Sequence, residues 1–178
     1  MGKYSSSYSF SIWIAIDDWN YRLDEPKIIY SRVDSDGNVG PEVALHRIDN
    51  TISVTFSTYE GDTQKCHLYN VPIQKWVNLI VVLNNRSCDL YLDGKLVRTC
   101  VLDGVPKLNS NARLFLTPGG GFSGATSNFR YFTYPLNPRE AYEIYREGYD
   151  GGWSSVLDKY RVKLAFMKDN REVGSLEI

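Results

Sequence analysis

The chain has 178 residues, of which 43% are hydrophobic and 23% charged, so it is long enough for one globular domain and short for two. Its 20 Lys and Arg residues balance 21 Asp and Glu residues, and this net charge of −1 leaves no basic excess for a nucleic-acid partner. No apolar run is long enough for a transmembrane segment, and the stretch Tyr4–Ile16 alternates instead of forming the apolar core of a signal peptide. We therefore expect synthesis in the cytosol, while the final location of the protein stays open.

Period-two alternation recurs along the chain and predicts short β-strands. The two faces of the first strand are Tyr8, Phe10, Ile12, Ile14 and Ile16 against Ser9, Ser11, Trp13 and Ala15. Further strands are expected near residues 27–33, 42–47, 51–58, 65–71, 76–83, 88–92, 96–102, 113–117 and 125–133. Turn residues such as Asp36-Gly37-Asn38 and Asp93-Gly94 separate these runs. Short strands at spacings of about ten residues are typical of a sandwich or jelly roll.

One segment, near residues 138–147, predicts a short helix instead. Asn137 is a suitable N-cap, Pro138 fits the first helical position, and Glu140 completes a capping-box pattern. Gly148 supplies a C-terminal stop.

The C-terminal residues predict a linker followed by a hairpin. Two alternating runs, 160–166 and 172–178, flank a turn and form the expected strands. We assign residues 1–152 to the sandwich and residues 153–178 to the linker and hairpin, which we expect to belong to the same domain.

The three cysteines, Cys66, Cys88 and Cys100, are expected to be reduced thiols. A two-residue hairpin turn would place Cys88 opposite Thr99 and direct Cys100 to the other face of the sheet. Reduced thiols also fit a cytosolic site of synthesis. Three widely spaced cysteines and two histidines do not have a metal-ligand spacing, so we expect no metal site.

Three blocks of the sequence carry a resemblance to a known family. They are the strand beginning at Trp76 with Tyr91-Leu92-Asp93-Gly94-Lys95-Leu96 after it, the run Phe122-Ser123-Gly124 before Asn128-Phe129-Arg130-Tyr131-Phe132, and the ending Leu136-Asn137-Pro138-Arg139-Glu140. With the opening strand Phe10–Ile14 they resemble the laminin-G-like, or concanavalin A-like lectin/glucanase, superfamily. The resemblance covers most of residues 8–148 and implies an all-β fold, a two-sheet antiparallel jelly-roll sandwich with one short helix. The chain as a whole, including its C-terminal extension, is also similar to members of this superfamily encoded by large DNA viruses of algae.

Particular positions of this pattern lead to further expectations. Trp76, at the start of a strand, is expected to anchor the core between the two sheets, with stacking on a ligand as the alternative. Ser127 and Asn128 stand where many relatives carry an acidic pair, which weakens any inherited calcium site, and we expect no cofactor. Many relatives also have an extra strand ahead of the first one here. The sandwich would then have an open edge, which the C-terminal hairpin is expected to fill.

No catalytic group is expected. The resemblance to glycosidases of the superfamily would imply a Glu-x-Asp-x-x-Glu pattern on one strand, which brings two carboxyl groups to the same face. This pattern is absent from the sequence. His46 and His67 lie inside alternating strands without a nucleophile elbow, so a Ser–His–Asp set is not indicated.

The loop after the first strand is the main candidate for a ligand contact. Its candidate residues are Asp18, Trp19, Asn20, Tyr21 and Arg22. Aromatic faces stack on the C–H surfaces of sugars while polar side chains bind hydroxyls. The alternative is a packed loop whose Trp19 folds back on the edge of the sandwich. Trp153, which follows two glycines, is either a further contact or a plug.

Two modification sites stay open. The N-terminus fits a myristoylation pattern in which Gly2 is exposed after removal of the methionine, a feature that also arises by chance or from cloning. Asn85 begins an N-glycosylation sequon on a predicted turn, which has meaning only if the chain enters a secretory route.

Two functional classes fit these observations. The first is a non-catalytic recognition module that binds glycan or a protein surface, at a virion or a cell surface. The alternative is a structural component, such as a minor capsid protein of a large DNA virus, that uses the sandwich as a packing block in an oligomer or larger assembly. A divergent glycoside hydrolase is the least favoured interpretation.

Overall fold

Two five-stranded antiparallel sheets form the body of the computed structural model, which describes residues 7–107, 111–150, 163–168 and 171–177. The first sheet contains β1 (Ser7–Asp18), β6 (Trp76–Asn84), β7 (Ser87–Leu92), β8 (Lys95–Val101) and β10 (Ser123–Phe132), in the order β10-β1-β6-β7-β8. The second contains β2 (Lys27–Val33), β3 (Val39–Leu45), β4 (Ile52–Ser57), β5 (Thr63–Leu68) and β9 (Arg113–Leu116), in the order β5-β4-β3-β2-β9. The predicted all-β class and two-sheet jelly-roll sandwich are confirmed.

The core lies between the inner faces of the two sheets, and alternation decides which side chains reach it. Tyr8, Phe10, Ile12, Ile14 and Ile16 of β1 are all buried there, as the pattern predicts. Their neighbours on β6 in the core are Val77, Leu79, Val81 and Leu83. The residues that alternate with these along β1 and β6 therefore point to the outer face of the first sheet.

The helix α1 (Pro138–Arg146) covers part of that outer face. Its buried residues Ala141 and Ile144 pack with Ile80, Val82 and Tyr91 of the sheet. The predicted capping box is confirmed: the Asn137 side chain accepts a hydrogen bond from the Glu140 backbone N–H at 3.0 Å, and the Glu140 carboxylate accepts one from the Asn137 N–H at 2.8 Å. The helix therefore forms a third layer on one side of the sandwich.

A disulfide joins the two sheets along one side of the sandwich. It links Cys66 on β5 to Cys100 on β8, whose Cα atoms are 5.9 Å apart, and both strands lie at sheet edges. The expectation of three reduced thiols is therefore wrong, because the bond crosses between sheets and local register does not reveal it. Cys88 is free and buried. A bulge between Leu90 and Tyr91 also shifts the β7–β8 register, so that Cys88 lies opposite Cys100 and not opposite Thr99.

The predicted C-terminal hairpin is present as β11 (Lys163–Lys168) and β12 (Arg171–Glu177). In the described part of the chain these two strands pair with each other and extend neither five-stranded sheet. The edges of the sandwich are therefore not closed by strand pairing with this hairpin. The first strand also does not lie at an edge, because β10 and β6 flank β1. The division at residue 152 stays a prediction.

Candidate functional site

An aromatic cleft of about 430 Å³ opens where the C-terminal end of α1 meets the outer face of the first sheet. The residues that line it are Trp13, Lys75, Trp76, Asp93, Tyr145, Arg146, Gly148 and Tyr149. We call this site the aromatic cleft. None of its residues belongs to the ligand site predicted from the sequence.

Strand parity brings the two tryptophans of the cleft together. In the β1–β6 register Trp13 lies opposite Asn78 and Ala15 lies opposite Trp76, so both indoles project from the outer face. Trp76 is half-buried and stacks on the Tyr149 ring, with centroids 4.8 Å apart and planes inclined by 5°. The expectation that Trp76 anchors the core between the sheets is therefore wrong.

Trp13 forms the floor of the cleft. Its ring stacks on Tyr145 with centroids 5.7 Å apart and meets Tyr149 edge-on at 6.0 Å. The indole is buried, and its Nε1–H has no hydrogen-bond partner among the described residues. Because this nitrogen has less than 1 Å² of accessible surface, the Trp13 ring and not its N–H lines the cleft.

Charged side chains surround the aromatic rings. The Lys75 ammonium lies 3.9 Å from the Asp93 carboxylate, whose other oxygen accepts a hydrogen bond from the Asn78 backbone N–H at 2.9 Å. Arg146 is exposed at the last turn of α1. The cleft therefore combines flat apolar faces with both hydrogen-bond donors and acceptors.

Ser127 and Asn128 position the chain that follows α1. The Ser127 hydroxyl donates to the Tyr149 carbonyl at 2.6 Å, and the Asn128 amide donates to the Gly148 carbonyl at 3.2 Å. A carboxylate at either position could not donate these hydrogen bonds. The departure from the acidic pair thus has a structural role here: it fixes the backbone that carries the Tyr149 ring onto Trp76.

The structure places the predicted loop differently from a ligand-stacking site. The Trp19 ring is only 4% exposed and its Nε1–H donates to the His46 carbonyl at 2.9 Å, as in the alternative of a loop folded back on the sandwich. Lys27 lies beneath it, with its ammonium donating to the Trp19 carbonyl and 5.7 Å from the indole centroid. Burial lowers the pKa of Lys27. A ligand role for this loop stays a prediction, but the buried Trp19 ring offers no open face on which a ligand could stack.

The other predicted residues of this loop are separate from the aromatic cleft. Asp18, Asn20 and Tyr21 are exposed. Arg22 pairs with Glu25 and donates to the Gly119 carbonyl, so it holds the glycine-rich turn after β9. The Arg22 guanidinium is therefore already bound to a carboxylate and to a backbone carbonyl.

The remaining predicted positions have different outcomes. Trp153 and Gly2 lie outside the described residues. Asn85 is exposed in the two-residue turn between β6 and β7, with φ +54°. Within the described ranges, no group of three or more His, Cys, Asp and Glu side chains could hold a metal ion. No helix among the described residues has the length and apolar character needed to span a bilayer.

Sequence comparison gives the family of this chain. A family model described as the concanavalin A-like lectin/glucanases superfamily matches residues 2–141, and the chain therefore belongs to this superfamily. No curated protein matches the chain by sequence.

Solved structures with a similar fold include receptor-binding domains of botulinum neurotoxins. The serotype G binding domain matches with a TM-score of 0.62 and 16% identity over 78% of this chain and 36% of its own. The binding domain of neurotoxin DC, solved in complex with rat synaptotagmin II, matches with a TM-score of 0.63 and 19% identity over 81% of this chain and 36% of its own. At these identities the likeness shows the fold alone, and the chain spans just over a third of the length of these relatives.

Proposed function

We propose that this chain is a non-catalytic recognition module that binds glycan in the aromatic cleft. The observation that carries this proposal is the stacked pair of Trp76 and Tyr149, whose partly exposed rings line an open cleft beside charged side chains. A sugar ring presents both a C–H face that packs on aromatic rings and hydroxyls that bind polar side chains.

The other groups of the cleft fit the same ligand class. Tyr149 is 44% exposed and Trp76 is half-buried, so part of their stacked rings faces the opening and can pack on the C–H face of a sugar ring. Lys75 and Arg146 can donate to hydroxyls, and Asp93 can accept from them. The superfamily includes lectins, and the structures with a similar fold include receptor-binding domains of neurotoxins, which supports recognition without deciding between glycan and protein.

A glycan array followed by calorimetry tests the proposal. The full chain is expected to bind a defined set of glycans, and Tyr149→Ala is expected to weaken that binding about tenfold because it removes a stacking face. Tyr134→Ala is the matched control, since Tyr134 is 46% exposed and does not line the cleft. Equal losses in the two variants would count against the cleft.

Two other outcomes would point to the alternative functions. If no glycan on the array is bound and light scattering shows a stable complex, a structural role in an assembly would be supported. Turnover of a polysaccharide that disappears when one Asp or Glu is replaced would show a hydrolase and contradict the non-catalytic proposal.

A further inference from the structure

The side of the sandwich opposite the disulfide is open between β9 and β10. Among the described residues β9 pairs with β2 on one side and with no strand on the other, and all four of its residues are exposed, including Leu114, Phe115 and Leu116. Phe129 of β10 reaches across to Tyr30 of β2, with ring centroids 5.3 Å apart, which places both sheet edges on this side. An exposed apolar edge strand is a template for pairing with another strand.

The hydrogen-bonding direction of β9 follows from its pairing with β2. The Thr117 N–H donates to the Ile29 carbonyl at 2.9 Å, so in an antiparallel ladder the backbone groups of Leu114 and Leu116 point away from β2. These are the donors and acceptors that an added strand would meet.

We propose that the occupant of this edge is β9 of a second copy of the chain, in antiparallel register about a two-fold axis at Phe115. Leu114 of one copy then exchanges hydrogen bonds with Leu116 of the other, and Phe115 faces the other copy's Phe115 as a close, non-hydrogen-bonded pair. The register joins the second sheets of the two copies into one continuous sheet.

Side-chain chemistry favours this self-pairing. Arg113 would lie opposite Thr117 of the other copy, so no like charges meet across the ladder, and the net charge of −1 adds little repulsion between copies. Leu114 and Leu116 would cover their counterparts on the face that Tyr30 shares, while the two Phe115 rings meet on the other face. Phe115 also borders a depression of about 600 Å³ that gives room for the partner ring.

Sedimentation velocity of the full chain over a range of concentrations tests this proposal. We expect a monomer–dimer equilibrium in the unmodified chain. Phe115→Lys and Phe115→Asp should each raise the dissociation constant about tenfold or more, because each loses the aromatic pair and places like charges face to face. An equimolar mixture of the two variants should restore the dimer, since residue 115 then faces its opposite charge.

Val101→Lys serves as the control for surface charge, because Val101 is 70% exposed on β8 at the opposite side of the sandwich. It should leave the dissociation constant unchanged. A chain that is monomeric at every concentration, a dimer that tolerates both Phe115 substitutions, or a mixture that does not recover would each overturn the proposal. The first result would leave the edge to another segment or partner, the second would place the dimer contact elsewhere, and the third would contradict the face-to-face position of the two residues 115.

Discussion

Removal of the Cys66–Cys100 disulfide should destabilise the sandwich by an amount that follows from its position in the chain. The two cysteines are separated by 34 residues, and closing a loop of that length lowers the entropy of the unfolded chain enough to stabilise the fold by about 4 kcal/mol. Unfolding 178 residues involves an entropy of about 0.37 kcal/mol per kelvin near Tm. A double variant, Cys66→Ala with Cys100→Ala, should therefore melt about 10 °C lower.

Calorimetry with and without reductant measures this loss. Reductant should lower the Tm of the natural chain towards that of the double variant and leave the double variant unchanged. Cys88→Ala is the control, because Cys88 is buried but free, and it should lose only about 1 kcal/mol from the smaller side chain. Three titratable thiols in the unreduced, denatured protein, or a Tm that ignores reductant, would refute the reasoning.

Three further perturbations have expected outcomes. Gly94→Ala should lower the free energy of unfolding in urea by about 2 kcal/mol, because Gly94 has φ +72° and an added Cβ would lie 3.0 Å from the Tyr145 Cβ. Gly37→Ala should cost less, because Gly37 has a similar φ of +78° but open space around it. Equal losses in the two variants would contradict a contribution from packing against Tyr145. Asn137→Ala should cost about 1 kcal/mol through loss of the N-cap, and helix α1 should lose amide protection in hydrogen exchange; unchanged protection would count against the cap. Burial lowers the pKa of His67 below its ordinary value of 6.5, so the unfolded chain takes up the proton first and stability should fall as pH drops through that value. His67→Gln should flatten this pH dependence, and an unchanged slope would refute the assignment.

Local signals in the sequence predicted the strands and the helix because short-range chemistry determines them. The alternation in β1 identified every residue that this strand places in the core. The Asn137–Glu140 capping box also needed only a few neighbouring residues. Both features depend on contacts close in the chain, where period and residue type carry the information.

Features that depend on contacts between distant elements were not predictable in the same way. The disulfide connects edge strands of different sheets, and the bulge at Leu90–Tyr91 shifts Cys88 and Cys100 out of the register that a two-residue turn predicts. The aromatic cleft joins β1, β6 and the segment after α1, so no single motif marks it. One available signal was parity: if Val77 and Leu79 face the core, Trp76 must face the other way, on the same side as Trp13.

The most direct test of glycan binding in the aromatic cleft is a titration that follows the indole N–H signals of the tryptophans by ¹⁵N–¹H NMR, with the best ligand from the glycan array. The Trp13 and Trp76 signals should shift on binding, and the Trp76 signal should move most because the Trp76 ring is half-buried at the opening while the Trp13 ring is buried. The Trp19 signal should stay in place, since its N–H already donates to the His46 carbonyl. Binding that shifts Trp19 and leaves Trp13 and Trp76 unchanged would contradict the assignment of the cleft as the ligand site.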